Sequence, residues 1–243
     1  MNRNWARLAR ASGRVCARLA FLALWLFASR AHAAAPLPAS ESELAFVVYP
    51  AVTPGPHPVT VVLHGMCGEP LRTCAHFAPE VTKREHLICP RASNRCEGGG
   101  ASWASRGFVG PIQAAVRRAE LQLGPLVDRE AGRTLIGYSL GAYRAAALLQ
   151  QVGSDYRRAM LIGARLVMEP RLFRDGSSTR LVLAAGAWDM TFAPLQREAA
   201  RLTRAGVTVR FESLGAVGHA LTPSFQSHLE SALRWLNDLG SVG

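Results

Sequence analysis

Short apolar runs rich in β-branched residues alternate along this chain with longer stretches in which apolar residues recur every three or four positions. The short runs read as strands: Leu44 to Tyr49, Val59 to Leu63, His86 to Cys89, Thr134 to Tyr138, Ala159 to Ile162, Leu181 to Ala185 and Val207 to Phe211. Several are apolar at nearly every position, the mark of a strand covered on both faces of a parallel sheet. The longer stretches read as helices. One covers Leu71 to Lys83. Another begins at Pro111, with Ile112, Ala115, Val116, Ala119 and Leu123 on one face, and a third runs from Ala142 to Gln150. Thr191 is placed to cap a fourth, with Leu195, Ala199 and Leu202 inward and Gly206 at its end. A last helix starts at Thr222-Pro223 and repeats Phe225, Leu229, Ala232, Leu233 and Leu236 at helical spacing. Strand follows helix throughout, which predicts an α/β fold: a mostly parallel central sheet with helices on both faces. Residues 91–108 lose periodicity and read as loop, as does the connection from Gly163 to Ser178.

The first 35 residues stand apart. Arg3, Arg7, Arg10, Arg14 and Arg18 form a basic segment, Leu19 to Ala28 an apolar one, and Ala31-His32-Ala33 a small-x-small cleavage site, with Ala35 as a second cut point. The apolar segment is shorter than the ~20 residues of a membrane span. Residues 1–35 are therefore expected to be a signal peptide, and residues 36–243 a single exported domain, periplasmic or secreted, with no stable membrane anchor.

Removing the leader changes the charge. Of the 28 basic residues six lie within residues 1–33, which leaves 22 against 17 acidic, so the formal +11 falls to +5. No basic run interleaved with aromatics suggests a nucleic-acid partner. Cysteine usage fits export: Cys16 leaves with the leader, and Cys67, Cys74, Cys89 and Cys96 favour two disulfides. The expected pairing is Cys67 with Cys74 and Cys89 with Cys96, both local loops, with Cys67 to Cys89 as the competitor. A zinc set from Cys67, Cys74, His76 and Cys89 lacks the usual C-x₂₋₄-C spacing, so no metal and no cofactor is expected.

The candidate chemistry starts at Gly137-Tyr138-Ser139-Leu140-Gly141, where a strand meets a helix with no loop between. This is G-x-S-x-G in strand-to-helix context, which lifts a serine hydroxyl clear of the sheet on a strained turn. A serine hydroxyl needs a base, normally a histidine oriented by a carboxylate. In an open parallel sheet such groups come from loops at the C-terminal strand ends. Asp189 directly follows the strand ending at Ala185, and His219 lies between the last strand and the last helix. The rivals are worse placed: Asp128, Asp155 and Asp175 precede strands, Asp238 and His228 sit in the last helix, and His57, His76 and His86 precede the strand ends. Two backbone N–H groups are expected to face the developing oxyanion, those of Leu140 and of Met66, with His64 orienting the loop after Leu63. Trp103 and Trp188 are candidate walls of a substrate pocket.

Together, His64-Gly65 after a buried strand, the 137–141 elbow, Asp189 and His219, in the order Ser, Asp, His, resemble the α/β-hydrolase superfamily over about residues 44–239. The cysteine-rich donor segment is similar to that of secreted esterases of the feruloyl-esterase and polyhydroxyalkanoate-depolymerase kind and of dienelactone-hydrolase-like proteins. Ser139 stands where many dienelactone hydrolases carry cysteine. The resemblance implies an α/β-hydrolase fold with no sizeable lid, since the 163–178 connection is short. It also implies hydrolysis of a small-molecule or polymeric carboxylic ester through a Ser139 acyl-enzyme, with His219 as base and Asp189 orienting it. The alternatives are a peptidase of the prolyl-oligopeptidase-like branch and a catalytically idle envelope-binding module.

Overall fold

A computed structural model describes residues 45–151, 154–173 and 179–238. The expected leader, its cut points at Ala33 and Ala35, and Leu44 lie outside the described residues. The strands are Phe46–Tyr49 (β1), Val59–Leu63 (β2), His86–Pro90 (β3), Asn94–Arg95 (β4), Ala101–Ser102 (β5), Arg133–Tyr138 (β6), Tyr156–Ile162 (β7), Arg180–Ala185 (β8) and Val209–Ser213 (β9). The helices are Pro70–Val81 (α1), Val109–Leu123 (α2), Leu140–Leu149 (α3), Phe192–Arg204 (α4) and Phe225–Asn237 (α5).

Seven strands form one sheet in the order β1-β3-β2-β6-β7-β8-β9. All neighbours from β3 to β9 pair in parallel, and β1 runs antiparallel on the β3 edge. The period of two in a strand divides the core in half. Val61, Leu63, Leu135, Leu161 and Leu183 face the side covered by α2, α3 and α4. Their neighbours Val62, Ile136, Met160, Ile162 and Val182 face α1 and α5. The apolar stripe of α5 is buried along its length, each large side chain contributing about 1.5–3 kcal/mol by leaving water.

Several boundaries differ from those the sequence suggests, each for a local reason. Val207 is not in the last strand because its N–H closes the end of α4 on the Leu202 carbonyl at 3.0 Å. The final helix starts at Phe225, after a turn in which the Phe225 N–H donates to the Thr222 carbonyl at 2.9 Å. Thr191 stands at the cap position of α4 without a side-chain capping bond. Its backbone N–H donates instead to Oδ1 of Asp189 at 2.8 Å. Residues 91–108, read as loop, contain the β4–β5 hairpin, and Ala101 bridges to Gly68 beyond the end of β2. Register places Leu63 opposite Gly137 and Tyr138 opposite Ile162, so the segments following β2, β6 and β7 emerge side by side.

Candidate active site

Between the end of β6 at Tyr138 and the start of α3 at Leu140 only Ser139 makes the turn, with φ 53° and ψ −119°. A non-glycine residue there carries about 1–3 kcal/mol of strain, which the surroundings must hold in place. The Ser139 N–H donates to the Ile162 carbonyl at 2.8 Å, and its carbonyl accepts the Ala142 N–H at 2.9 Å. The glycines of the motif are sterically required. A Cβ on Gly137 would come within 2.6 Å of the Ala142 Cα, and one on Gly141 within 2.1 Å of the Leu63 carbonyl oxygen.

The Ser139 hydroxyl lies 2.9 Å from Nε2 of His219, whose Nδ1 lies 2.6 Å from Oδ2 of Asp189. Asp189 is 7% exposed, whereas the His219 side chain is 44% exposed, so the carboxylate is shielded and the ring remains open to a ligand. Burial pushes the Asp189 carboxyl up, but hydrogen bonds from the Thr191 amide and the His219 ring outweigh it and hold it below the ordinary carboxylate value. Tyr138 flanks this row: its hydroxyl donates to the His219 carbonyl at 3.0 Å, and its ring stacks on the imidazole with centroids 5.3 Å apart.

Two glycines that sequence reasoning passed over shape the row. A Cβ on Gly163, at φ +63°, would meet Cε1 of His219 at 2.8 Å, and one on Gly186 would meet the Val217 carbonyl oxygen at 2.1 Å. Each follows a buried strand directly, at the edge where ligands bind in such sheets, and that position is the signal that could have found them.

The loop after β2 carries the second expected donor. His64 is fully buried; the Ala92 N–H donates to its Nε2 at 3.2 Å, so Nδ1 holds the proton and donates to the Gly65 carbonyl at 2.8 Å. Burial lowers its basicity and keeps the ring neutral. Met66 is exposed, and Leu140 is the first residue of α3. Among the described residues neither amide donates to a backbone carbonyl. The Leu140 N–H also sits at the positive end of the α3 dipole.

The disulfides differ from the expected pairing. Cys67 bonds to Cys96 and Cys74 to Cys89; neither Cys67 to Cys74, nor Cys89 to Cys96, nor the competitor Cys67 to Cys89 forms. The reason is direction. Cys74 belongs to the apolar stripe of α1 and faces the sheet, where Cys89 of β3 points to the same side. Cys67 lies in the loop above, beside the hairpin that carries Cys96 and is tied to Gly68. A further correction concerns the tryptophans. Trp103 is buried, its ring lies against that of His64 with centroids 4.7 Å apart and planes tilted by 31°, and it donates from Nε1 to the His64 carbonyl at 2.7 Å, so it supports the loop after β2. Trp188 is exposed and stands outside the groove beside His219. That groove, of about 460 Å³, is lined instead by the loop after β2, the first turns of α1, the turn at Gly98–Gly100, Tyr138 and the segment after His219.

No family model matches the chain, and no curated protein matches it. Solved structures do. A ferulic acid esterase superposes with a TM-score of 0.61 at 16% identity, over 80% of this chain and 92% of that one. FphF, a fluorophosphonate-binding serine hydrolase of Staphylococcus aureus, gives 0.59 at 16% identity, over 79% and 91%. The chain has the α/β-hydrolase fold. An S-formylglutathione hydrolase from Agrobacterium tumefaciens gives 0.60 at 12% identity, over 85% and 99% of the two chains, so the fold is matched along nearly the whole of that enzyme. In α/β-hydrolase terms Ser139 occupies the elbow after β6, and Asp189 and His219 follow β8 and β9.

Proposed function

We propose that the protein is an exported serine hydrolase that cleaves carboxylic esters through an acyl-enzyme on Ser139. The observation that carries this reading is the unbroken row from Asp189 through His219 to Ser139, with contacts of 2.6 and 2.9 Å, on an α/β-hydrolase scaffold. Solved neighbours named as esterases support it, and two disulfides fit an oxidising compartment.

In this reading the Ser139 oxygen attacks the ester carbonyl carbon as its proton passes to Nε2 of His219. Asp189, kept ionised by its hydrogen bonds, fixes the imidazole with its Nδ1 proton toward the carboxylate and stabilises the imidazolium. The carbonyl oxygen, now negative, accepts from the Leu140 and Met66 amides. When the tetrahedral intermediate collapses, the C–O bond to the alcohol breaks and the leaving oxygen takes the proton from Nε2. Water, deprotonated by the same nitrogen, then attacks the acyl carbon and frees Ser139.

The test is covalent labelling by a fluorophosphonate probe together with p-nitrophenyl ester turnover. Labelling and turnover that disappear in Ser139→Ala are the expected result. Oxidised, folded protein that neither labels nor turns over any ester of a broad panel would overturn the reading.

A further inference from the structure

The sheet ends at β9. Among the described residues no strand lies beyond it, and its first four residues are half-buried while Ser213 is exposed. The ladder to β8 decides which of its backbone groups stay open. The Leu181 N–H donates to the Thr208 carbonyl and the Leu214 N–H to the Ala185 carbonyl, both at 3.0 Å, with Leu181 and Ala185 opposite Val209 and Ser213. In a parallel ladder the N–H and C=O of one residue point to the same side, and alternate residues point to opposite sides. Thr208, Arg210, Glu212 and Leu214 therefore turn their backbone groups to β8, and Val209, Phe211 and Ser213 turn theirs outward. Among the described residues no hydrogen bond reaches these outward groups.

The side chains divide in the same alternation. Val209 and Phe211 face the α4 side of the sheet, Phe211 edge-on to Phe192 with ring centroids 5.1 Å apart. Arg210 and Glu212 face α5, where Arg210 donates to the Ser231 hydroxyl at 2.8 Å and Glu212 lies 2.9 Å from Nδ1 of His228. They also pair with each other, Arg210 Nε donating to Glu212 Oε2 at 3.1 Å. Charges on an edge strand ordinarily keep other strands away. Here the two charges are held in place, opposite in sign and two residues apart, so they repel some pairings and favour one.

We infer that β9 is the docking edge for a second copy of this chain, paired antiparallel about a two-fold axis at Phe211 into one continuous sheet. That axis sets Arg210 opposite Glu212 of the second copy and Glu212 opposite its Arg210, so four charges alternate in sign around a square. Moving the axis by one residue sets Arg210 against Arg210 or Glu212 against Glu212, and like charges directly opposite are destabilising. The same axis satisfies the open backbone. Val209 meets Ser213 of the second copy, Phe211 meets Phe211 and Ser213 meets Val209, each as a hydrogen-bonded pair, while Arg210 and Glu212 fall at the intervening positions where side chains come closest. A two-fold contact of this kind closes on two copies and leaves no free edge. Asp189 and His219 lie beyond the C-terminal ends of β8 and β9, so the two Ser139 rows open toward opposite ends of the joined sheet. The inference does not depend on what the protein hydrolyses. A strand of five residues is a small interface, which places the association in the micromolar range.

Sedimentation velocity on the oxidised protein from about 1 μM to about 500 μM, the span in which such an interface dissociates, is expected to show monomer passing to dimer. Ser213→Pro removes one outward N–H and puts a ring on the open edge without touching the ladder to β8. It should be monomeric throughout, with native circular dichroism. Arg210→Glu brings four carboxylates together and should weaken association by at least about tenfold, and adding Glu212→Arg should bring it back to within about threefold. Amide exchange reads the register: the Val209, Phe211 and Ser213 amides should exchange at least about tenfold more slowly in the dimer, and those of Arg210 and Glu212 should be protected in both states. A protein that stays monomeric or grows beyond a dimer, a dimer that Ser213→Pro leaves intact, or protection that spares the three outward amides would each overturn the interface. Dimers of Arg210→Glu as tight as the wild type would overturn the register. If Arg210→Glu does not fold, Ser213→Pro and amide exchange still decide.

Discussion

Tyr138 holds His219 from two directions: its hydroxyl donates to the His219 carbonyl at 3.0 Å while its ring stacks on the imidazole, tilted by 23°. Burial, and then the nearby Asp189 charge, push the Tyr138 phenol up, so it stays a protonated donor. His219 sits in a loop outside regular secondary structure and is otherwise tied by its side chain to Asp189. Gly65 leaves room for the tyrosine, since a Cβ there would approach its ring to 3.3 Å. The residue before Ser139 thus joins the serine turn, the imidazole of His219 and the loop after β2.

Tyr138→Phe removes the hydroxyl and keeps the stack. Losing one hydrogen bond of about 0.5–1.5 kcal/mol lowers kcat by about twofold to tenfold with little change in KM. Tyr138→Leu also removes the ring and lowers kcat further. Steady-state kinetics on one ester checks both, and a Tyr138→Leu protein as active as Tyr138→Phe would exclude the stack from any role.

Gly163→Ala places a methyl group against the His219 ring and forces an alanine to φ +63°. The ring must move away from Ser139 or Asp189, and a displacement of that kind lowers kcat by about 10²-fold. The backbone strain adds about 1–2 kcal/mol of destabilisation. Activity and denaturant unfolding measured together separate the two, and near wild-type kcat would show that the imidazole accommodates the methyl.

The two disulfides are expected to respond differently to reductant. Cys74 and Cys89 are fully buried, whereas Cys67 is exposed at the groove. A mild dithiol opens Cys67–Cys96 first, and kcat falls before the fold melts, because that bond fastens the loop carrying Met66. Removing Cys74–Cys89, which spans 15 residues, costs about 3 kcal/mol of stability on the chain-entropy account. Thiol trapping with mass mapping gives the order of opening, and the opposite order would contradict the assignment.

Glu198 gives a pH dependence away from the site. It accepts from the Met168 amide at 2.8 Å and from Arg201 at 2.7 Å. Burial raises its carboxyl, but these hydrogen bonds together hold it below its ordinary value. A carboxylate with a lowered folded pKa stabilises the fold above its unfolded pKa, near 4.5, and loses that contribution as pH falls through the folded value. Glu198→Gln is therefore expected to destabilise the protein by about 1–2 kcal/mol at pH 7, the half-exposed Arg201 keeping the figure low, and by less at pH 3. Urea unfolding at the two pH values tests this, and an equal loss at both would show that charge is not the cause.

The sequence by itself determined the alternation of strands and helices, the sharp turn at Ser139, and the position of Asp189 and His219 just past strand ends. These are local properties: periodicity over a few residues, and glycines where a Cβ has no room. Only the tertiary structure decided which cysteines meet, because that depends on Cys74 facing the sheet from α1 and on β3 lying beside β2. It likewise turned Trp103 inward to support His64 and left Trp188 outside the groove. Such contacts join segments far apart in the chain, and the direction each side chain takes is set by strand order and helix rotation, which no short window of residues contains.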